Sequence, residues 1–220
     1  MSIHKNVNVS VSLLSILNSY QRETQNEFLK DSSMNFTTHS GINIPILDFN
    51  INHVKFEDIA HGLSNLCRYG GQCSKFYSVA EHCILVSLMI ELLSPIKDLR
   101  KTGLLHDASE TYLVDLPTPV KILCPGYQII EEKFENTIFE AFGLKYGFRN
   151  PIIKECDRRM YLIERSVLLP GYAHRNEDTD FHQTVAKSFN DQLKIRFLSP
   201  EDAKRAFIDR AKEIGIQEAV

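Results

Sequence analysis

The residues best equipped for chemistry are an adjacent pair, His106-Asp107, set in apolar sequence with Gly103-Leu104-Leu105 before it and Ala108 after it. Such a pair is expected to be buried, and a buried carboxylate beside an imidazole is unfavourable unless each has a partner. The partner can be another side chain or a metal ion, and by itself the pair fits a structural role better than a metal site. Glu110 shifts that balance. It follows Asp107 by three residues and His106 by four, the spacings that bring helix side chains onto one face. Asp115 falls where the helix should end before Pro117, so its carboxylate can turn back into the same cleft. Two acidic groups near a metal suit water activation and proton transfer to a leaving group. His82 sits among apolar neighbours and also needs a buried partner; a satisfied core histidine and a ligand both remain open.

These side chains need a helical frame, and the periodicity predicts one. Phe56, Ile59, Ala60, Leu63, Leu66 and Cys67 recur on one face up to Gly70-Gly71, giving a helix with a glycine stop. Ser78 and Glu81 have the spacing of a capping box ahead of a run from His82 to Leu93, which ends at Ser94-Pro95. A third helix, carrying the His-Asp pair, is expected from Lys97 to Leu113, stopping before the two prolines of Pro117-Thr118-Pro119. Others are expected over 126–142, 150–168 and 200–214, the last capped by Ser199 with Pro200 in its first position. Upstream, residues 35–49 hold Ser40-Gly41 between β-branched and apolar residues, the composition of a short hairpin, with Pro45 confining its strand to an edge. The expected class is all-α with a short N-terminal β-hairpin.

The 220 residues suffice for one domain plus an end extension, read as 1–35 and 36–220. The extension is rich in Asn, Ser and Gln around an amphipathic patch at Leu13, Leu14 and Leu17, and His174 to Thr184 reads as a surface loop. With 43% hydrophobic and 24% charged residues the chain lies far from disordered compositions. Lys and Arg number 25 against 28 Asp and Glu, a net charge of −3, so no general positive field exists to bind duplex nucleic acid. Any phosphate must be held by a local site. No stretch approaches the roughly 18 apolar residues of a membrane helix, and the N-terminus lacks a signal-peptide cleavage pattern. Five scattered cysteines, Cys67, Cys73, Cys83, Cys124 and Cys156, read as reduced, buried thiols of a cytoplasmic protein. No P-loop or dinucleotide fingerprint is present. His61 reads as a packing histidine, and Arg158-Arg159 as a solvated face unless one of them buttresses Asp157.

Taken together these residues resemble a known family. The order His82, His106-Asp107, Asp157 resembles the H…HD…D signature of the HD-domain metal-dependent phosphohydrolases. The string HDASETYLVDLPTPVK, residues 106–121, is similar to the corresponding stretch of bacterial 5′-deoxynucleotidases. EDIAHGLSNLCRYGGQCSKFYSVAEH, residues 57–82, is similar to bacterial and viral HD proteins that include dATP triphosphohydrolases. With CDRRMYLIERSVLL downstream, the similarity spans about residues 36–215.

The resemblance implies an HD-domain helical bundle in which His82, His106, Asp107 and Asp157 ligate a divalent transition metal, Zn, Co, Mn or Fe. It implies that Glu110 and Asp115 are catalytic and orient the attacking water or a second divalent ion. Arg68 and Lys121 match positive groups near the phosphates, Pro119 a residue lining the purine side, and Tyr69 an aromatic position often filled by tryptophan, which this chain lacks altogether. The implied reaction is metal-dependent hydrolysis of a deoxynucleoside triphosphate, dATP first, to nucleoside and triphosphate. The alternatives are 5′-deoxynucleotidase action on monophosphates and cyclic-nucleotide or oligonucleotide phosphodiesterase action. A homo-oligomer is the implied assembly.

Overall fold

A computed structural model describes residues 35–169, 171 and 193–216. The patch at Leu13, Leu14 and Leu17 and the loop at 174–184 lie outside the described residues. The order is β1 (Asn35–Thr37), β2 (Asn43–Pro45), a 3-10 turn at Ile51–His53, α1 (Phe56–Asn65), a second 3-10 turn at Arg68–Gly71, α2 (Val79–Leu93), α3 (Lys97–Leu105), α4 (Glu110–Leu113), α5 (Thr118–Leu123), α6 (Pro125–Ala141), α7 (Pro151–Leu168) and α8 (Pro200–Glu213). The expected class, all-α with a short hairpin, is the one that forms. β1 and β2 pair antiparallel, with Phe36 opposite Ile44. Asp58 of α1 ties the hairpin down by accepting from the Ser40 backbone N–H and hydroxyl, each at 2.7 Å.

The helix α2 is buried on nearly every side, through Val79, Ala80, His82, Cys83, Leu85, Val86, Met89 and Ile90. A helix that is apolar all round belongs at the centre, and α1, α3, α7 and α8 pack around this one. Two apolar clusters flank it, one containing Ile59, Leu63, Leu104, Phe134 and Phe207, the other Val86, Met89, Leu99 and Met160. Gly103 decides how closely α3 approaches α2, since a Cβ there would overlap Ile90 Cδ1. That close approach brings the end of α3, and with it His106, beside His82.

Four local expectations need correction. The first helix ends at Asn65, because the backbone turns extended at Leu66 and Cys67 bridges Ser78 instead. The glycines shape the next turn, where Tyr69, Gly70 and Gly71 have φ of 56°, 58° and 78°. The third helix is broken: α3 stops at Leu105, and hydrogen bonds from Ala108 N to Leu105 O and from Glu110 N to Asp107 O, both 3.0 Å, tighten the chain before α4. The chain leaves the helix before Pro117 as expected, but a further helix not expected from the sequence follows at Thr118–Leu123, because Pro119 occupies its first turn, where a missing N–H leaves nothing unpaired. Finally, Ser78 caps α2 by accepting from Glu81 N, but the Glu81 carboxylate does not complete the box. It accepts instead from the backbone N–H groups of Arg196, Phe197 and Leu198, fixing the approach to α8.

Candidate metal centre and its cleft

Three elements converge on one point. α2 brings His82, the tight turn after α3 brings His106 and Asp107, and α7 brings Asp157. His82 Nε2 lies 3.3 Å from His106 Nε2, 3.6 Å from Asp107 Oδ2 and 3.2 Å from Asp157 Oδ1. His106 Nε2 lies 3.3 Å from Asp107 Oδ2 and 3.8 Å from Asp157 Oδ1. Ligands at about 2.0–2.1 Å from a tetrahedral ion stand about 3.3–3.4 Å from one another. These separations match that edge, and the cluster could hold a metal ion. The buried Cys83 thiol also lies beside His106 and Asp107, and burial pushes its pKa up to about 11.

Both imidazoles are aimed through their second nitrogen. His106 Nδ1 contacts Gly103 O at 2.8 Å, and a carbonyl only accepts, so Nδ1 carries the proton and Nε2 faces the centre. His82 Nδ1 contacts Glu164 Oε1 at 2.6 Å. Glu164 is fully buried and also accepts from Tyr77 Oη at 2.7 Å, Tyr69 Oη at 3.1 Å and Arg68 Nε at 3.2 Å. Sequence reasoning missed it. The available signal was its spacing, seven residues after Asp157 on the same face of α7, amid buried Met160, Leu162, Ile163 and Leu168.

The charges agree with this matching. Burial opposes ionisation of Glu164, yet Arg68 and His82 outweigh it and hold the carboxyl at about 2. Asp157 is likewise held below the ordinary carboxylate range, because hydrogen bonds from His106 and His82 overcome its burial. Burial pulls His106 toward neutrality, but Asp107 and Asp157 raise its pKa well above the ordinary value.

A cleft of about 750 Å³ opens over this floor, and Arg68, Tyr69, Asp107, Glu110, Asp115, Pro119, Lys121 and Asp157 all line it. Every cleft residue expected from sequence is thus brought to one place. Asp107 is only partly buried, with 21% of its side chain exposed, so the adjacent pair presents one buried imidazole and one carboxylate facing the cleft. Glu110 is buried, its Oε2 has no hydrogen-bond partner, and burial together with Asp107 and Asp115 pushes its pKa well up. Burial also raises Asp115. Arg68 sits between Glu164 and Asp107, and Lys121, which also lines the cleft, pairs with Glu131.

Sequence reasoning also passed over Tyr161, which lines the cleft with its ring centroid 6.1 Å from that of Tyr69 and 24° from parallel. The two rings make an aromatic wall. His61 stays away from the cleft and stacks on His39 at 3.6 Å, as a packing histidine would. Arg158 reaches the cleft edge, and both Arg158 and Arg159 bind Glu155. Of the thiols, Cys83 and Cys156 are buried as expected, whereas Cys67 and Cys73 are only partly buried and Cys124 is exposed. Among the described residues no helix is long and apolar enough to cross a membrane.

No protein-family model matches the chain. It is 38% identical over 128 residues, 58% of this chain and 68% of the relative, to the uncharacterized protein YfdR of Escherichia coli K12. It is 32% identical over 179 residues, 78% of this chain and 90% of the relative, to an uncharacterized protein of Rhodobacter capsulatus. The chain belongs to the family of these two bacterial proteins, whose names assign no activity.

Proposed function

We propose that this member of the YfdR family is a metal-dependent phosphohydrolase of 2′-deoxynucleotides. The leading reaction is hydrolysis of a deoxynucleoside triphosphate, dATP first, to deoxynucleoside and triphosphate. The alternative is 5′-deoxynucleotidase action on monophosphates, retained because the 106–121 string resembles such enzymes. The observation that carries the reading is the convergence of His82, His106, Asp107 and Asp157 beneath a cleft holding two cationic side chains and a buried carboxyl with an unpaired oxygen.

His82, His106, Asp107 and Asp157 would hold the divalent ion, and mixed nitrogen and oxygen donors suit Zn, Co, Mn or Fe. When bound, such an ion supplies Lewis acidity toward a phosphoryl oxygen and a water of lowered pKa. The protein's own groups do the rest. Arg68 and Lys121 neutralise phosphate charge, with Arg68 offering its outer guanidinium N–H groups because Nε is committed to Glu164. Glu110 has the free oxygen and raised pKa of a group that exchanges a proton with water or with a leaving oxygen. Asp115 shares the cleft with it and raises that pKa further, and the two carboxylates also suit a second divalent ion. Tyr69, with Tyr161 beside it, offers a face for the base, and Pro119 lines the same cleft.

Self-association is part of this reading. Ile122, Leu123 and Ile129, on the neighbouring helices α5 and α6, are 64%, 80% and 73% exposed, and covering such apolar side chains would favour a contact between copies. The free cysteines suit a reducing cytoplasm.

The test is to incubate the protein with Co, Mn or Zn and each deoxynucleoside tri- and monophosphate, then resolve products by ion exchange. Tripolyphosphate with a nucleoside is expected from dATP. Orthophosphate from monophosphates alone selects the nucleotidase, and no product with any metal refutes the proposal.

A further inference from the structure

The fully buried Glu164 takes no direct part in the chemistry above, yet among the described residues no carboxylate is more fully engaged. Oε1 receives His82 Nδ1 and the Tyr77 hydroxyl, at 2.6 and 2.7 Å, while Oε2 receives the Tyr69 hydroxyl and Arg68 Nε, at 3.1 and 3.2 Å. Four donors meet an ionised carboxylate, which offers about four lone-pair positions and only accepts. These donors belong to a proposed metal ligand, a proposed phosphate-binding cation and a ring of the cleft wall. Tyr77 itself is fully buried behind them.

We propose that Glu164 is the positioning residue of this site: it fixes the His82 proton on Nδ1, so that Nε2 presents a lone pair to the metal, and in doing so locks Arg68 and Tyr69 to the same point. This rests on the metal-centre reading above. The geometry makes the carboxylate irreplaceable by its own amide. In Glu164→Gln one end becomes an NH₂ group, which only donates. Turned toward Oε2's position it would face Arg68, which has no acceptor and cannot lose its proton. The amide must therefore turn its NH₂ to His82 Nδ1, making that nitrogen the acceptor. The ring proton moves to Nε2, the atom 3.2 Å from Asp157 Oδ1 and 3.3 Å from His106 Nε2, and the ligand is blocked.

Two measurements test this. Metal-stripped wild type and Glu164→Gln are titrated with Co²⁺, following the visible d–d band; the variant is expected to bind about 10- to 100-fold more weakly, with an altered band. Equal affinity and an identical band in a folded variant overturn the assignment. Should the variant not fold, long-range proton–nitrogen correlation on Zn²⁺-loaded, ¹⁵N-labelled wild type still decides. His82 Nδ1 is expected to be protonated and Nε2 metal-bound, and the reverse overturns the proposal. A wild type that binds neither ion refutes the metal-centre reading itself, an outcome separate from normal binding unaffected by the substitution.

Discussion

The floor and the wall of the cleft are both lined with acid groups, and they treat them in opposite ways. On the floor, Asp157 and Glu164 are held low, Glu164 at about 2, because imidazole and guanidinium donors meet their oxygens. On the wall, Glu110 and Asp115 are pushed up by burial, and Glu110 keeps an unpaired buried oxygen. Just behind that wall Glu135, in a second cavity that shares Lys121, is raised to about 8 by burial and by Glu131. A carboxylate kept ionised by neighbouring cationic groups presents a standing negative charge, as a cation site requires, whereas one left short of donors is poised to exchange a proton. The contrast separates the ligand-holding half of the proposed site from its proton-transferring half.

Substitutions can break that contrast. Asp107→Ala removes a ligand from the floor and should abolish Co²⁺ binding and hydrolysis together, a loss of about a thousandfold or more in kcat. Activity at the wild-type level would dissolve the distinction. Glu110→Gln acts on the wall alone. It should leave Co²⁺ affinity within a few-fold of wild type while lowering kcat by about 10²- to 10⁴-fold; unchanged turnover would remove Glu110 from the chemistry.

The smallest effect concerns stability. The native Glu135 carboxyl binds its proton more tightly than the ordinary value of 4.5, so folding stability should fall as pH rises from 4.5 to about 8 and level off above it. Glu135→Gln should lose this slope and gain about 1–3 kcal/mol over wild type at pH 9 relative to pH 5. Urea unfolding at the two pH values checks it. A slope shared by both proteins would place the protonation elsewhere.

Much of this site was legible because its residues carry local signals. His106-Asp107 interrupts apolar sequence, Ser78 and Ser199 precede the helices they cap, and Asp157 stands in the second turn of a helix with a clear period. The floor's organiser was not legible, since a glutamate on a helix ordinarily reads as solvated surface. Its place on the apolar face of α7 is a weak signal, and its role shows only through partners that lie 82 to 96 residues away in sequence. The break between α3 and α4 was hidden for a related reason. Residues 106–109 have no helix-breaking residue, so the tighter hydrogen-bonding pattern is a tertiary choice that aims His106 and Asp107 at α2 and α7. The helix at Thr118–Leu123 is hard to see in the sequence because a proline that ends one helix can equally stand in the first turn of the next, as Pro119 does.

The central claim, that a metal on this floor drives phosphate ester hydrolysis, is tested most directly by stripping the wild-type protein with a chelator and restoring Co²⁺ in steps while following dATP hydrolysis. Activity should be absent at first and rise in proportion to added metal, reaching its plateau where the high-affinity Co²⁺ band saturates. Full hydrolysis in the stripped protein, or a saturated band with no hydrolysis of any deoxynucleotide, would contradict it.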